Sequence, residues 1–188
     1  RYWPAVLLAA GALGFVLARV GPEAVSARHP RADVVIINGN EPESLDPQIV
    51  TGISEMRITK AMFEGLLRLD PKEARPTPGL AERWEVSPDN LVYTFHLRAN
   101  ARWSNGDPVT AQDFVASFRR ILTASLAADY ANMLYILQGA EAFHKGASKD
   151  FAQVGAVALD DRRLRLTLEH PAPYFLALIT NPPWLPVP

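Results

Sequence analysis

Cysteine is absent from the 188 residues. That excludes disulfides, thiolate metal sites, a cysteine nucleophile and lipidation at an N-terminal Cys, while choosing no compartment. Net charge is nearly absent too. Nineteen Lys and Arg against twenty Asp and Glu give −1, a balance that calls for neither nucleic acid nor an anionic membrane surface as partner. The histidines His29, His96, His144 and His170 share no metal-ligand spacing, and none sits in a zinc-protease motif. There is no serine in a nucleophile-elbow setting and no phosphate-cradling glycine loop. Internal repeats and low-complexity tracts are also missing. Catalysis is left without a supporting motif, and no metal or organic cofactor is called for.

Long apolar runs are limited to one, Pro4 to Ala18, after Arg1. Its length suits a signal-peptide core and is short for a bilayer span. Val25-Ser26-Ala27 then offers small residues at signal-peptidase spacing, so residues 1–27 are expected to be a signal peptide cleaved after Ala27, or an uncleaved anchor. What the chain has in abundance is proline, sixteen residues gathered at element boundaries and near the end.

The spacing of apolar residues predicts an α+β order with short antiparallel strands. Asp33 to Asn38 holds the β-branched run Val34, Val35, Ile36, Ile37, the mark of a strand covered on both faces. Glu41 to Pro47, with prolines at 42 and 47, is expected as an extended loop. Ser54 is expected to cap a helix with Glu55 in its first turn and a buried stripe of Ile58, Met62, Phe63, Leu66 and Leu67. Pro78 to Trp84 reads as one helical turn entering a strand. Ser87-Pro88-Asp89-Asn90 is a turn, after which Leu91, Tyr93, Phe95 and Leu97 alternate with Val92, Thr94, His96 and Arg98, a half-buried strand paired with Trp84 to Val86. Arg102 to Phe114 reads as a strand end, a turn at Asn105-Gly106 and a helix start. Thr110 with Asp113 forms a capping box, and Phe114, Val115, Phe118, Ile121 and Leu122 make its apolar face. Tyr130 to Leu137 and Glu141 to His144 are further helical segments. Val154–Leu159 and Leu164–Leu168 form a hairpin across Asp160-Asp161, and Pro173 starts a last helix that Asn181-Pro182-Pro183 stops.

Taken singly, the chemistry-bearing residues favour bland roles. His96 lies on the polar face of its strand, Asp160-Asp161 belongs to a turn, Glu41 and Glu43 are solvated, and Trp84 and Trp103 pack at the core edge. Thr51-Gly52 alone is a loop before a helix, and Tyr130 a core aromatic.

The ordered series of motifs says more. Ser44-Leu45-Asp46-Pro47, Phe63-Glu64-Gly65-Leu66, Pro78-Gly79-Leu80-Ala81-Glu82-Arg83-Trp84, Tyr93-Thr94-Phe95-His96-Leu97-Arg98 and the run Trp103 to Phe114 follow one another in the chain. Val154-Gly155, Leu159-Asp160-Asp161 and Pro173-Tyr174-Phe175 continue the series. Over residues 33 to 188 this resembles extracellular solute-binding protein family 5, the oligopeptide- and dipeptide-binding components of bacterial ABC importers. The resemblance implies a periplasmic-binding-protein-like fold with three domains in two lobes. Residues 28–63 would then be the first segment of domain I and residues 64–188 domain II, with the rest of domain I and domain III outside this chain.

It further implies a monomeric periplasmic receptor that holds an extended oligopeptide between its lobes by backbone hydrogen bonds and delivers it to permease subunits in the inner membrane. No chemistry on the ligand, no cofactor and no nucleic acid are implied. By residue-for-residue carry-over, Thr51, Gly52 and Ile53 match the segment lining the peptide backbone, Tyr130 a ligand-facing tyrosine, and Asn181 a position where some members have a ligand-facing histidine. Thr51 stands where some members have an acidic residue. Dipeptides, a murein peptide, a sugar or a nickel chelate are alternatives within the family. An exported hydrolase with its catalytic residues beyond Pro188 is the alternative from another class.

Overall fold

Strand β4 (Val92–Leu97) sets the architecture through its alternation, with Tyr93, Phe95 and Leu97 buried and the intervening residues only partly so. The computed structural model describes residues 37–188, and Gly39–Pro188 form one compact unit. The expected signal or anchor segment 1–27 and most of the expected strand 33–38 lie outside the described residues. A four-stranded antiparallel sheet runs in the order β3 (Ala81–Val86), β4, β6 (Arg163–Thr167), β5 (Ala156–Asp160). The register sets Tyr93 opposite Leu166 and Phe95 opposite Leu164. One face is thereby apolar across the two central strands, and a slip of one residue would turn that whole set to solvent.

The turns are built from side chains as expected. Asn90 takes the left-handed conformation at φ 57°, Asp89 accepts from Leu91 N, and Ser87 Oγ accepts from Val92 N. In the second hairpin Asp160 ends β5 and its Oδ1 accepts from both Arg162 N and Arg163 N.

The helix Ala111–Ile121 packs over β5 and β6. The Thr110–Asp113 capping box is present, with Thr110 N donating to Asp113 Oδ2 at 2.6 Å. Phe114, Phe118, Ile121 and Leu122 are fully buried, each such side chain contributing on the order of 1.5–3 kcal/mol by leaving water. Aromatic contacts link this helix to the sheet. Phe118 meets Trp184 edge-on at 5.4 Å, Trp184 meets Phe175 at 5.8 Å, and Phe175 meets Tyr93 at 4.7 Å. Chain-distant elements thus share one core.

Several expected boundaries are corrected. The first described helix, α1 (Ile53–Met62), is N-capped by Gly52, not Ser54. It stops at Met62, which is exposed, so its stripe does not continue. Leu66 and Leu67 are buried from extended chain instead. No helical turn forms at Pro78. Pro76–Pro78 is strand β2, paired with β1 (Leu67–Leu69), and Gly79, Leu80 and Ala81 donate to the carbonyls of Leu66, Gly65 and Leu66. Those bonds to a distant part of the chain keep Pro78 in a strand and carry Gly79 and Leu80 through a bend into β3, where local composition favours a helical turn. With the helix at Ala111–Ile121 named α2, the later helices are short. A 3₁₀ turn, Ala131–Leu134, replaces most of the expected helix from Tyr130, α3 spans Ala140–His144, and α4 spans Phe175–Leu178 with Tyr174, not Pro173, beside its start. α4 ends at Leu178 with Ile179 as its C-cap, ahead of Asn181-Pro182-Pro183, which opens a buried 3₁₀ turn, Pro182–Trp184.

Candidate functional site

The segment running into α1 is held from below and open above. Asp46 shapes its turn, its carbonyl accepting from Ile49 N and Val50 N and its Oδ1 from Gln48 N at 3.0 Å. Gln48 and Val50 are buried. Immediately beyond them Thr51 is exposed, Gly52 half-buried and Ile53 79% exposed. Ile53 is thus left in water straight after an anchored loop. The Glu55 carboxylate folds over Gly52, whose φ of −83° suits any residue, and that flexible side chain can move aside for a larger one. A Cβ there would lie 2.0 Å from Glu55 Oε2, while Glu55 Oε1 accepts from Glu43 N.

The other two candidate residues stand at the starts of turns. Tyr130 is half-buried and precedes the Ala131–Leu134 turn, its carbonyl accepting from Met133 N at 3.0 Å. Asn181 is half-buried and precedes Pro182–Trp184. Its Nδ2 donates to Leu178 O at 2.9 Å and its carbonyl accepts from Trp184 N. Gly52, Tyr130 and Asn181 are therefore the N-caps of three elements. Both α1 and the Ala131–Leu134 turn pack against the Pro182–Trp184 turn. The Pro182–Trp184 turn is thus the element that both share.

A concavity of about 540 Å³ opens beside the other end of α1, lined by Lys60, Phe63, Glu64, Arg68, Thr180 and Leu185. None of Thr51, Gly52, Ile53, Tyr130 or Asn181 lines it. Thr51 to Ile53 form an exposed rim, with Tyr130 and Asn181 on separate turns. Such a rim can offer backbone groups to something laid across it.

Two residues that the motifs did not single out hold the rim. Arg120, in the last turn of α2, donates to Asp46 Oδ2 at 2.6 Å and to Gln48 Oε1 at 2.6 Å. Gln48 in turn donates from Nε2 to Ser117 O at 2.7 Å. The available signal was an arginine at a helix C-terminus and an aspartate in a proline-bounded loop, 74 residues apart.

Elsewhere the ionisable groups serve the scaffold. His96 Nε2 lies 3.0 Å from Glu85 Oε1, and Arg83 reaches both partners. The Arg83 hydrogen bond holds the Glu85 carboxyl below its ordinary pKa, and burial raises that of the Tyr93 hydroxyl. Among the described residues no group of His, Cys, Asp and Glu could hold a metal ion, and no helix is long and apolar enough to cross a membrane.

Comparison with known proteins places this geometry. Residues 75–187 match the family described as bacterial extracellular solute-binding proteins, family 5 middle. The dipeptide-binding protein DppE of Bacillus subtilis is 44% identical over 150 residues, which cover 80% of this chain and 27% of that protein. The periplasmic oligopeptide-binding protein OppA of Escherichia coli is 40% identical over 191 residues, 97% of this chain and 34% of that protein. The crystal structure of Haemophilus influenzae OppA in complex with RPPGFSPFR superposes with a TM-score of 0.76 at 40% identity, over 80% of this chain and 29% of that one. The chain thus spans about a third or less of the length of these relatives.

Proposed function

The chain belongs to the bacterial extracellular solute-binding proteins of family 5, and from that premise we propose that it forms part of an oligopeptide receptor serving an ABC importer. The observation that carries this reading is the similarity, 40–44% identical, to proteins named for binding peptides. The exposed rim at Thr51 to Ile53 supports it. Backbone offered at an open edge pairs with any peptide main chain, as in strand addition, and so grips without demanding a particular sequence.

In this proposal Thr51, Gly52 and Ile53 line the peptide backbone, Tyr130 faces the ligand, and Asn181 lies where its amide reaches a polar group of the peptide. Residues 28–63 are the first segment of domain I and residues 64–188 domain II. The opposing lobe is supplied by sequence outside this chain, and closure of the lobes traps the ligand for the permease subunits. Residues 1–27 direct export, which puts the receptor in the periplasm, as a monomer. The chemistry is binding and release, with the peptide leaving intact.

Native mass spectrometry of the protein purified from its host, with whatever sequence flanks residues 1–188 there, tests this. Masses of intact peptides a few residues long, released on denaturation, are expected. A carried sugar, bile acid or nickel chelate would overturn the peptide assignment, and shortening of added peptides on incubation would overturn the non-catalytic one.

A further inference from the structure

We propose that Arg120 is a positioning residue for peptide binding, acting through Asp46 and Gln48 to hold the Thr51–Ile53 segment in its binding geometry. The inference rests on the reading above, that this segment lines the ligand. Arg120 uses its guanidinium as a fork. Nη2 meets Asp46 Oδ2 at 2.6 Å, while Nη1 lies 3.3 Å from Asp46 Oδ1 and 2.6 Å from Gln48 Oε1. Three acceptors on two residues, approached by a rigid planar group, are what a lysine ammonium cannot reproduce. Gln48 is 1% exposed, and its amide spans from Arg120 to the Ser117 carbonyl.

The platform beneath is stiff. α2 is capped at its start and buried along Phe114, Phe118 and Ile121, and Arg120 sits in its last turn, where the helix dipole favours a cation. Ser117 on the same helix also donates to Asp113 O at 2.6 Å and accepts from Val187 N at 2.9 Å. One face of α2 therefore ties down two segments, residues 46–48 and residue 187. From Gln48 to Thr51 is three residues, so an anchored Gln48 confines the rim to a small volume. Binding through main-chain groups is weakened whenever those groups must first be ordered. A clamp beneath the rim removes that ordering from the binding step.

The experiment uses the protein with its flanking host sequence and tri-alanine as probe, with affinity read by calorimetry and backbone order by amide hydrogen exchange. In the unsubstituted protein the peptide is expected to protect amides at 51–53. Arg120→Ala is expected to weaken tri-alanine at least about tenfold, as loss of preorganisation does, and to speed exchange at residues 46–53 while the amides of β4 and β6 stay as they were. Asp46→Asn keeps the acceptor for Gln48 N and drops the charge. It should give the same localised pattern, and combined with Arg120→Ala it should add little. Arg120→Lys should recover only part of the loss, and with Asp46→Asn it carries the test if Arg120→Ala does not fold. Absence of peptide protection at 51–53 in the unsubstituted protein would overturn the ligand-segment reading itself. Protection there, with unchanged affinity in the Arg120 variants, would overturn the clamp alone, as would a loss of affinity matched by faster exchange throughout the sheet.

Discussion

Gly79 is a point of close approach between two parts of the chain, and replacing it with alanine tests how tightly that crossing is built. Gly79 N donates to Leu66 O at 3.1 Å, Leu80 N to Gly65 O at 2.8 Å and Ala81 N to Leu66 O at 3.0 Å. A Cβ on residue 79 would lie 2.6 Å from Gly65 O and 3.0 Å from Leu66 O. Both obstacles are backbone atoms, so no side chain can swing aside. The chains must part by several tenths of an ångström, stretching the hydrogen bonds that define the crossing. Losing one or two of them, with the buried Leu66 carbonyl left short of a donor, costs roughly 2–4 kcal/mol. For a unit of this size that lowers the melting temperature by roughly 5–15 °C. The control is Gly106→Ala, at φ +94° with no atom within 4 Å, where only the left-handed backbone is penalised, by about 1–2 kcal/mol. Thermal and urea unfolding followed by circular dichroism compares the two variants. If Gly79→Ala costs no more than Gly106→Ala, the close-approach argument is wrong.

Two further outcomes are expected. Phe118→Ala removes a fully buried ring that touches Phe114 and Trp184 and should destabilise by about 3–5 kcal/mol in urea titration; a loss under 1 kcal/mol would mean that the aromatic bridge between α2 and the Pro182–Trp184 turn does not bear on stability. The Asp160 carboxyl is held below its ordinary pKa by the Arg162 backbone N–H first, then by the Arg163 side chain and backbone. Its charged form is therefore favoured in the folded state, and the stability it contributes is present above the unfolded value of about 4 and is lost as pH falls below that through the folded value. The stability difference between the native chain and Asp160→Asn should shrink when unfolding is repeated from pH 7 down to pH 2, and a difference that grows on acidification would contradict the sign.

Much of the scaffold was legible in the chain because its signals are local. Alternation from Leu91 to Arg98 names the buried face of β4, and Thr110 with Asp113 marks the start of α2. Leu164, Leu166 and Leu168 name the facing strand. Each signal spans a few residues and rests on backbone periodicity or a cap, so no distant partner is needed to read it. Where the reading failed, a distant partner had decided the matter. Pro78 to Ala81 passes from β2 through a bend into β3 because Gly65 and Leu66 accept its N–H groups. α1 starts two residues earlier than a Ser54 cap implies, and it ends at Met62, with Leu66 and Leu67 taken by the β1 side of the core.

The candidate site divides in the same way. The motif series by itself marked the family to which the chain belongs, since motif order survives in one dimension, and Thr51, Gly52, Ile53, Tyr130 and Asn181 became candidates only through that resemblance. That α1 and the Ala131–Leu134 turn both pack against the Pro182–Trp184 turn was decided only by tertiary packing, as was the grip of Arg120 on Asp46 across 74 residues. The physical reason is that side-chain hydrogen bonds and aromatic contacts have no period along the chain. They exist only once burial has brought the segments together.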